Sequence, residues 1–268
     1  MRLAAATMRL SPTAIAVYAT GAAGALALKA FSSGAGAGEL RWVLGPTCWL
    51  AARLGGMSFI DEGAAGFISH ADRLVVGAPC SGVNFLVVCF AALFFSYARW
   101  WRRSATKMGW LLASLLLAYA ATVITNSVRV VVAARLFQAD IYGGVLTPGR
   151  AHRLMGALLY CGSLVMVHEL VGRVVRRLGD GARASSAIPS APRFWLPSWL
   201  LASPLLWYLA VAVGVPLFQL RADSLDARFA EHLLTVFGVA GTLSAVVVVA
   251  RTLADRLQSK APGGASSP

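Results

Sequence analysis

Six long runs of apolar residues dominate the hydrophobicity pattern of this chain. They cover about 11–30, 81–98, 108–130, 152–172, 194–218 and 231–250. A helix needs roughly 20 mostly apolar residues to cross the hydrocarbon core of a bilayer, so each run predicts one membrane-spanning helix. The pattern therefore predicts an all-α fold, a polytopic transmembrane helical bundle of about six spans.

A seventh apolar stretch, residues 40–54, has a different character. It is interrupted by Gly45-Pro46 and carries Arg41 and Arg53. Proline removes a backbone donor and disfavours a helix interior, and the two cations suit a membrane surface. We expect this stretch to be an interfacial or re-entrant segment.

Composition and charge support a membrane protein and predict its orientation. With 58% hydrophobic and 13% charged residues, the 268-residue chain does not fit a water-soluble domain. The basic residues behind the net charge of +13 concentrate in alternate connections: Arg2, Arg9, Arg99, Arg102, Arg103, Lys107, Arg173, Arg176, Arg177, Arg183, Arg193, Arg251, Arg256 and Lys260. Such loops are typically cytoplasmic. We therefore expect a multi-pass protein of the cell (inner) membrane, with cytoplasmic termini and external connections at 57–79 and 138–151. The charge indicates topology and contact with membrane lipids, with no nucleic acid partner.

The chain divides into three predicted parts. Residues 1–178 form a membrane catalytic core, and their first 30 residues are typical of an uncleaved signal anchor. Residues 179–193, rich in Ala, Ser, Gly and Pro, form a cytoplasmic linker. Residues 194–268 supply a two-helix membrane extension and a disordered tail.

Three polar side chains are predicted to share the external leaflet. Cys80 opens the second span, Arg129 lies near the end of the third, and His152 begins the fourth. A thiol, a guanidinium and an imidazole together can act as nucleophile, anion clamp and base. His168 lies about 24 Å further along its helix and cannot join them.

The neighbouring residues refine this hypothesis. Ser81 and Gly82 leave room for a substrate backbone, and Asn126 shares a helix face with Arg129, where it could hold the guanidinium or face the substrate. The alternatives are a snorkelling Arg129 and an ordinary interfacial His152. Cys89 and Cys161 fit small apolar fillers.

Disulfide formation is the alternative for Cys48, which could pair with Cys80. That pairing would abolish the nucleophile, so we expect a free Cys80.

These motifs resemble the exosortase/archaeosortase family of membrane cysteine transpeptidases, and within it the exosortase K branch. The similarity lies in Pro79-Cys80-Ser81-Gly82, in Asn126-Ser127-Val128-Arg129 and in His152, taken in this order. It covers residues 75–172. The last two spans have no assured counterpart in the family.

The resemblance implies a cysteine protease or transpeptidase that processes secreted proteins. Its substrates would end in a short C-terminal motif, a transmembrane helix and a basic tail. Cys80 would attack the scissile carbonyl, His152 would shuttle protons, and Arg129 would stabilise the oxyanion.

Other functions stay open at the level of sequence. A non-enzymatic transporter or assembly factor could use the polar residues of the third span, and an enzyme of lipid-linked substrates could bind phosphate through Arg129. A Cys-His-Asp arrangement with Asp140 is also conceivable. No nucleotide-binding or metal-binding motif is present in the sequence, so we expect no cofactor and no metal.

Overall fold

The computed structural model describes residues 11–101, 103–139, 142–143 and 147–184, with single helical positions between 234 and 249. These residues form two compact units. The first contains the described residues up to 139 together with 167–184, and the second contains 142–166 and the positions from 234 onwards. The described residues are mostly helical.

Four helices are long and apolar enough to cross a membrane. They are α1 (Pro12–Gly34), α3 (Val83–Tyr97, preceded by a 3₁₀ turn), α4 (Ser104–Gln138) and α5 (Pro148–Ala184). These helices confirm a membrane-type helical fold and correspond to the first four predicted spans. The predicted spans 194–218 and 231–250, and most of the predicted linker 179–193, lie outside the described residues. α5 continues through the start of that linker, to Ala184.

The core of the first unit is α3, whose side chains are almost all buried. It runs antiparallel to α4, because Trp110 Nε1 donates to the Leu93 carbonyl at 3.3 Å near one end and Asn126 contacts Cys80 near the other. α1 packs on another side of α3 through Gly21. A Cβ atom at this glycine would collide with the Phe94 ring, so the absence of a side chain permits the close approach of the two helices.

Residues 41–55 form a continuous helix, α2 (Arg41–Gly55), so the predicted break at Gly45-Pro46 is wrong. Pro46 has no N–H to donate to the Trp42 carbonyl four residues earlier. The Tyr119 hydroxyl of α4 donates to that carbonyl instead, at 2.7 Å, and thereby replaces the lost helical bond. At 15 residues α2 is about 22 Å long, shorter than a bilayer core, and it is not among the four candidate spans.

α2 runs parallel to the second half of α4. Besides Tyr119, Ser127 donates to the Thr47 carbonyl at 2.9 Å, and Arg135 Nη2 donates to the Gly55 carbonyl at 2.9 Å. Three side chains of α4 thus bind carbonyl groups spaced along the length of α2, and together they fix its register.

A small sheet corrects the all-α prediction. β1 (Ile60–Asp61), β2 (Phe67–Ser69) and β3 (Leu74–Val76) pair antiparallel in this order between α2 and α3. Val76 and Ser69 point into the core, and Gln138 at the end of α4 donates to Asp72 at 3.2 Å. The sheet therefore connects α2 to the turn that carries Cys80.

Candidate functional site

Cys80 lies in a 3₁₀ turn, Ala78–Cys80, between β3 and α3. The Cys80 N–H donates to the Gly77 carbonyl at 2.9 Å, and the Ser81 N–H donates to the Ala78 carbonyl at 3.1 Å. Cys80, predicted to open the second span, therefore belongs to this turn, and α3 itself begins three residues later, at Val83. Cys80 is half-buried, whereas Ser81 is buried.

Gly82 joins this turn to α3 in a conformation that favours glycine. Its φ angle is +74°, in the left-handed region. A Cβ atom there would lie 3.2 Å from the Asn126 Cγ and the Thr122 Cγ2. Gly82 is therefore constrained both by its own backbone conformation and by the side chains of α4. On this side, α4 fills the space that was predicted for a substrate backbone.

Asn126 ties the Cys80 turn to α4. Its side chain is fully buried, and its amide nitrogen donates to the Cys80 carbonyl at 2.6 Å. The bond joins residues 46 positions apart in sequence. Because a buried amide must find partners for its polar atoms, this contact fixes the position of the Cys80 backbone.

Arg129 approaches the other side of the same amide. Its Nη1 donates to Asn126 Oδ1 at 3.4 Å, one helical turn away, and the side chain is half-buried. Of the two alternatives for Asn126, the structure shows the one in which it holds the guanidinium. Guanidinium, carboxamide and the main chain of Cys80 thus form a continuous hydrogen-bonded series.

A second cysteine lies near this series. Cys80 packs against the hydrophobic cluster that contains Cys48, and Ser127, next to Asn126, binds the carbonyl of Thr47 beside Cys48. Burial raises the pKa of the Cys48 thiol to about 12, and electrostatic interaction with the nearby Cys80 and Asp61 side chains adds to this effect. Both cysteines are free thiols, as expected for Cys80.

The histidines occupy different places. His152 lies in the exposed first turns of α5, within the second unit, and its meeting with Cys80 stays a prediction. His168 is buried in the first unit, where the Tyr97 hydroxyl donates to its carbonyl at 2.8 Å. His70 pairs with Glu62 at 3.1 Å, at the turn end of the β2–β3 hairpin. Asp140 lies outside the described residues.

Cys89 and Cys161 are fully buried, as their interpretation as apolar fillers predicts.

One cation near the site was not predicted from the sequence. Lys29, inside the first apolar run, donates to Asn84 Oδ1 at 2.7 Å, in the first turn of α3. A lysine within an otherwise apolar span is a signal in itself, because such a charge is costly without a partner. Its partner, 55 residues away, could not be identified from the sequence.

Within the part of the chain that the structure describes, no group of three His, Cys, Asp or Glu side chains could hold a metal ion. Comparisons with known proteins found no matching family model, no similar curated protein and no similar solved structure. The geometry of the Cys80 turn and of its hydrogen-bonded series therefore carries the functional argument.

Proposed function

We propose that this protein is a membrane-embedded cysteine protease or transpeptidase of the exosortase type. It would cleave the C-terminal sorting signals of secreted proteins at the external face of the cell membrane. The observation that supports this most is the series Arg129–Asn126–Cys80, in which a fully buried amide bonds a guanidinium on one side and the nucleophile's main chain on the other. Such a contact pre-organises a site because it fixes the nucleophile before substrate binds.

The proposed reaction begins with the Cys80 thiolate. Its sulfur attacks the scissile carbonyl carbon, and the electron pair of the carbonyl bond moves to oxygen. The guanidinium of Arg129 stabilises this oxyanion. The carbonyl bond then re-forms as the C–N bond breaks, and the amine leaves with the proton that the base, for which His152 is our candidate, took from the Cys80 thiol when the thiolate formed. Water or an acceptor amine finally attacks the thioester and releases the Cys80 thiol.

The contrast between the two neighbouring cysteines favours Cys80 as the nucleophile. The thiolate is the reactive form of cysteine. Cys48 has only 2% of its surface exposed and its pKa is raised to about 12, so it stays protonated near neutral pH. Cys80 is half-buried at the junction of a turn and a helix, where a substrate can reach it.

The polar residues of α4 argue against a transport path. The Thr122 hydroxyl donates to the Ala118 carbonyl at 2.7 Å, and Ser127 donates to both Val123 and Thr47. Their donors are used by the main chain, as expected of structural groups. Binding of a lipid-linked phosphate by Arg129 would leave Cys80 without a role.

Substitution of the cysteines tests the proposal. A secreted protein of the same genome that ends in a motif, an apolar helix and a basic tail would be tagged and co-expressed with each variant. Cys80→Ala and Cys80→Ser should abolish processing, because a hydroxyl at its normal pKa is a poor nucleophile. Cys89→Ala and Cys161→Ala are matched controls that should retain most activity. Full processing by a folded Cys80→Ala protein would refute the enzymatic function.

Arg129→Lys separates oxyanion binding from simple anchoring at the interface. Lysine keeps the charge and can snorkel, but it lacks the planar fork of the guanidinium. We expect turnover to fall about 100- to 1000-fold, the effect of losing one oxyanion donor. Normal turnover in a stable Arg129→Lys protein would restrict Arg129 to a structural role.

A further inference from the structure

The sheet beside the Cys80 turn has two edges, β1 and β3, because each of them has one side without a neighbouring strand among the described residues. The β1 edge carries Asp61, which is paired with Arg41 of α2 at 2.8 Å. Charged side chains on an edge strand discourage the pairing of a further strand. β3 (Leu74–Val76) contains no charged residue, and its middle residue, Val75, is 55% exposed. The β3 edge is therefore the one that is open to an added strand.

The main-chain groups that face the free side of β3 belong to Val75 and Gly77. In an antiparallel sheet, successive residues of a strand direct their N–H and C=O groups to opposite sides. The Val76 carbonyl faces β2, because Val76 pairs with Phe67 and because a Cβ atom on Gly66 would collide with the Val76 oxygen. Val75 and Gly77, its neighbours, therefore direct their main-chain groups away from β2. Val75 thus offers one donor and one acceptor to a strand on the free side.

The Cys80 turn lies on the same side of β3. The Gly77 carbonyl accepts the Cys80 N–H at 2.9 Å. Since this carbonyl points to the free side, the backbone of Cys80 lies where an added strand would run. A strand bonded to Val75 reaches the level of Gly77 two residues further on, about 7 Å at the rise of a β-strand. The free edge of β3 therefore leads directly to Cys80.

We propose that the free edge of β3 binds the substrate polypeptide as an added, extended strand, with the residues before the scissile bond paired to Val75. This inference rests on the proposed protease function and specifies how its substrate is held. Main-chain hydrogen bonds to a sheet edge give affinity for an extended segment, and they place the bond that follows the paired residues beside the Cys80 thiol.

The direction of the added strand follows from the direction of β3. β3 leads through the Cys80 turn into α3, which we expect to enter the membrane from the external side. The proposed substrate also runs from an external domain, through its motif, into a transmembrane helix. Both segments thus approach the membrane in the same sense, so the substrate strand is parallel to β3.

Proline at position 75 tests the main-chain contact. Val75→Pro removes the N–H on the free side, whereas the bonds to β2 use Leu74 and Val76 and stay intact. Val75→Ala changes the side chain but keeps the N–H. With the tagged secreted protein of the cysteine test as substrate, we expect Val75→Pro to process it at least about tenfold more slowly than Val75→Ala, the effect of losing one main-chain bond.

The opposite edge of the sheet supplies the matched control. The Glu62 N–H donates to the Gly66 carbonyl at 2.8 Å, so the main-chain groups of the preceding Asp61 face the outer side of β1. Asp61→Pro and Asp61→Ala should therefore process the substrate alike. Thermal unfolding of all four variants in the same detergent would identify those that are folded.

Cross-linking tests the geometry without relying on proline. Val75→Cys would be combined with Cys80→Ala, and single cysteines would be placed along the substrate segment that precedes its membrane helix. The remaining cysteines of the enzyme, Cys48, Cys89 and Cys161, are at most 2% exposed and should not compete. We expect disulfides with every second substrate position, because alternate side chains of a strand share one face.

The outcomes separate this inference from the proposed function. If Cys80→Ala processes the substrate, the proposed function is wrong and the inference falls with it. If Cys80→Ala is inactive but a folded Val75→Pro protein works as well as Val75→Ala, only the inference is wrong. If Val75→Pro does not fold, the cross-links decide: a repeat of three or four positions, no cross-link, or a disulfide between two copies of the enzyme would each overturn the proposal.

Discussion

Replacing Asn126 by alanine tests whether the contact between α4 and the Cys80 turn stabilises the fold. The change removes the 2.6 Å bond to the Cys80 carbonyl and the longer 3.4 Å bond from Arg129. Leaving a buried polar partner unsatisfied costs about 1–3 kcal/mol, and the long bond adds little, so we expect the unfolding free energy to fall by about 2 kcal/mol. For a protein of this size this corresponds to roughly 4–8 °C in unfolding temperature.

Ser114→Ala is the matched control for this measurement. Ser114 is also fully buried in α4, but its hydroxyl donates only to Trp110 in the same helix, at 2.7 Å. Its loss should cost less than about 1 kcal/mol, because the Trp110 carbonyl keeps its helical bond. Both variants would be unfolded thermally in the same detergent, with tryptophan fluorescence as the signal. Equal unfolding temperatures for the two variants would show that the contact with Cys80 contributes nothing to stability.

Three further outcomes are expected. Because burial raises the pKa of Cys48 from 9.0 to about 12, Cys48 should resist maleimide up to about pH 9 while Cys80 is labelled, as mass spectrometry of the native protein would show. The contribution of the protonated Cys48 to stability should be lost as the pH rises from about 9 towards 12. Gly82→Ala should lower the unfolding free energy by about 1–3 kcal/mol in a denaturant titration, since φ is +74°. Tyr119→Phe should cost about 1 kcal/mol in the wild type but less in Pro46→Ala, where the helix regains its donor, and additive effects in this double-mutant cycle would contradict the role of Tyr119.

The first four spans and their order could be predicted from the sequence, because a run of about 20 apolar residues has few structural alternatives. The continuity of α2 across Gly45-Pro46 could not be predicted from the sequence. It depends on a hydroxyl 77 residues away from the carbonyl that Pro46 leaves unbonded. The sheet also has a weak signal, since its strands are only two or three residues long and lack a clear alternation.

In the candidate site, too, the residues could be predicted from the sequence but their contacts could not. Cys80, Asn126 and Arg129 could be selected from the sequence by residue type and by depth along their spans. The bond from Asn126 to the Cys80 carbonyl could not, because helix rotation and the exact position of a turn decide which polar atoms meet. The partner of Lys29 escaped prediction for the same reason.

The dependence of the Cys80 turn on α4 has a consequence for biosynthesis. The ribosome completes α1, α2 and α3 before residue 126 leaves the exit tunnel, so the emerging chain holds the Cys80 turn and the α2 carbonyls without their donors. Asn126, Ser127, Tyr119 and Arg135 then arrive on one helix. Insertion of α4 therefore completes the contact with the Cys80 turn and the contacts with α2 in one step. In a nascent chain arrested before α4 is inserted, Cys80 and Cys48 should react alike with thiol reagents that distinguish them in the finished protein.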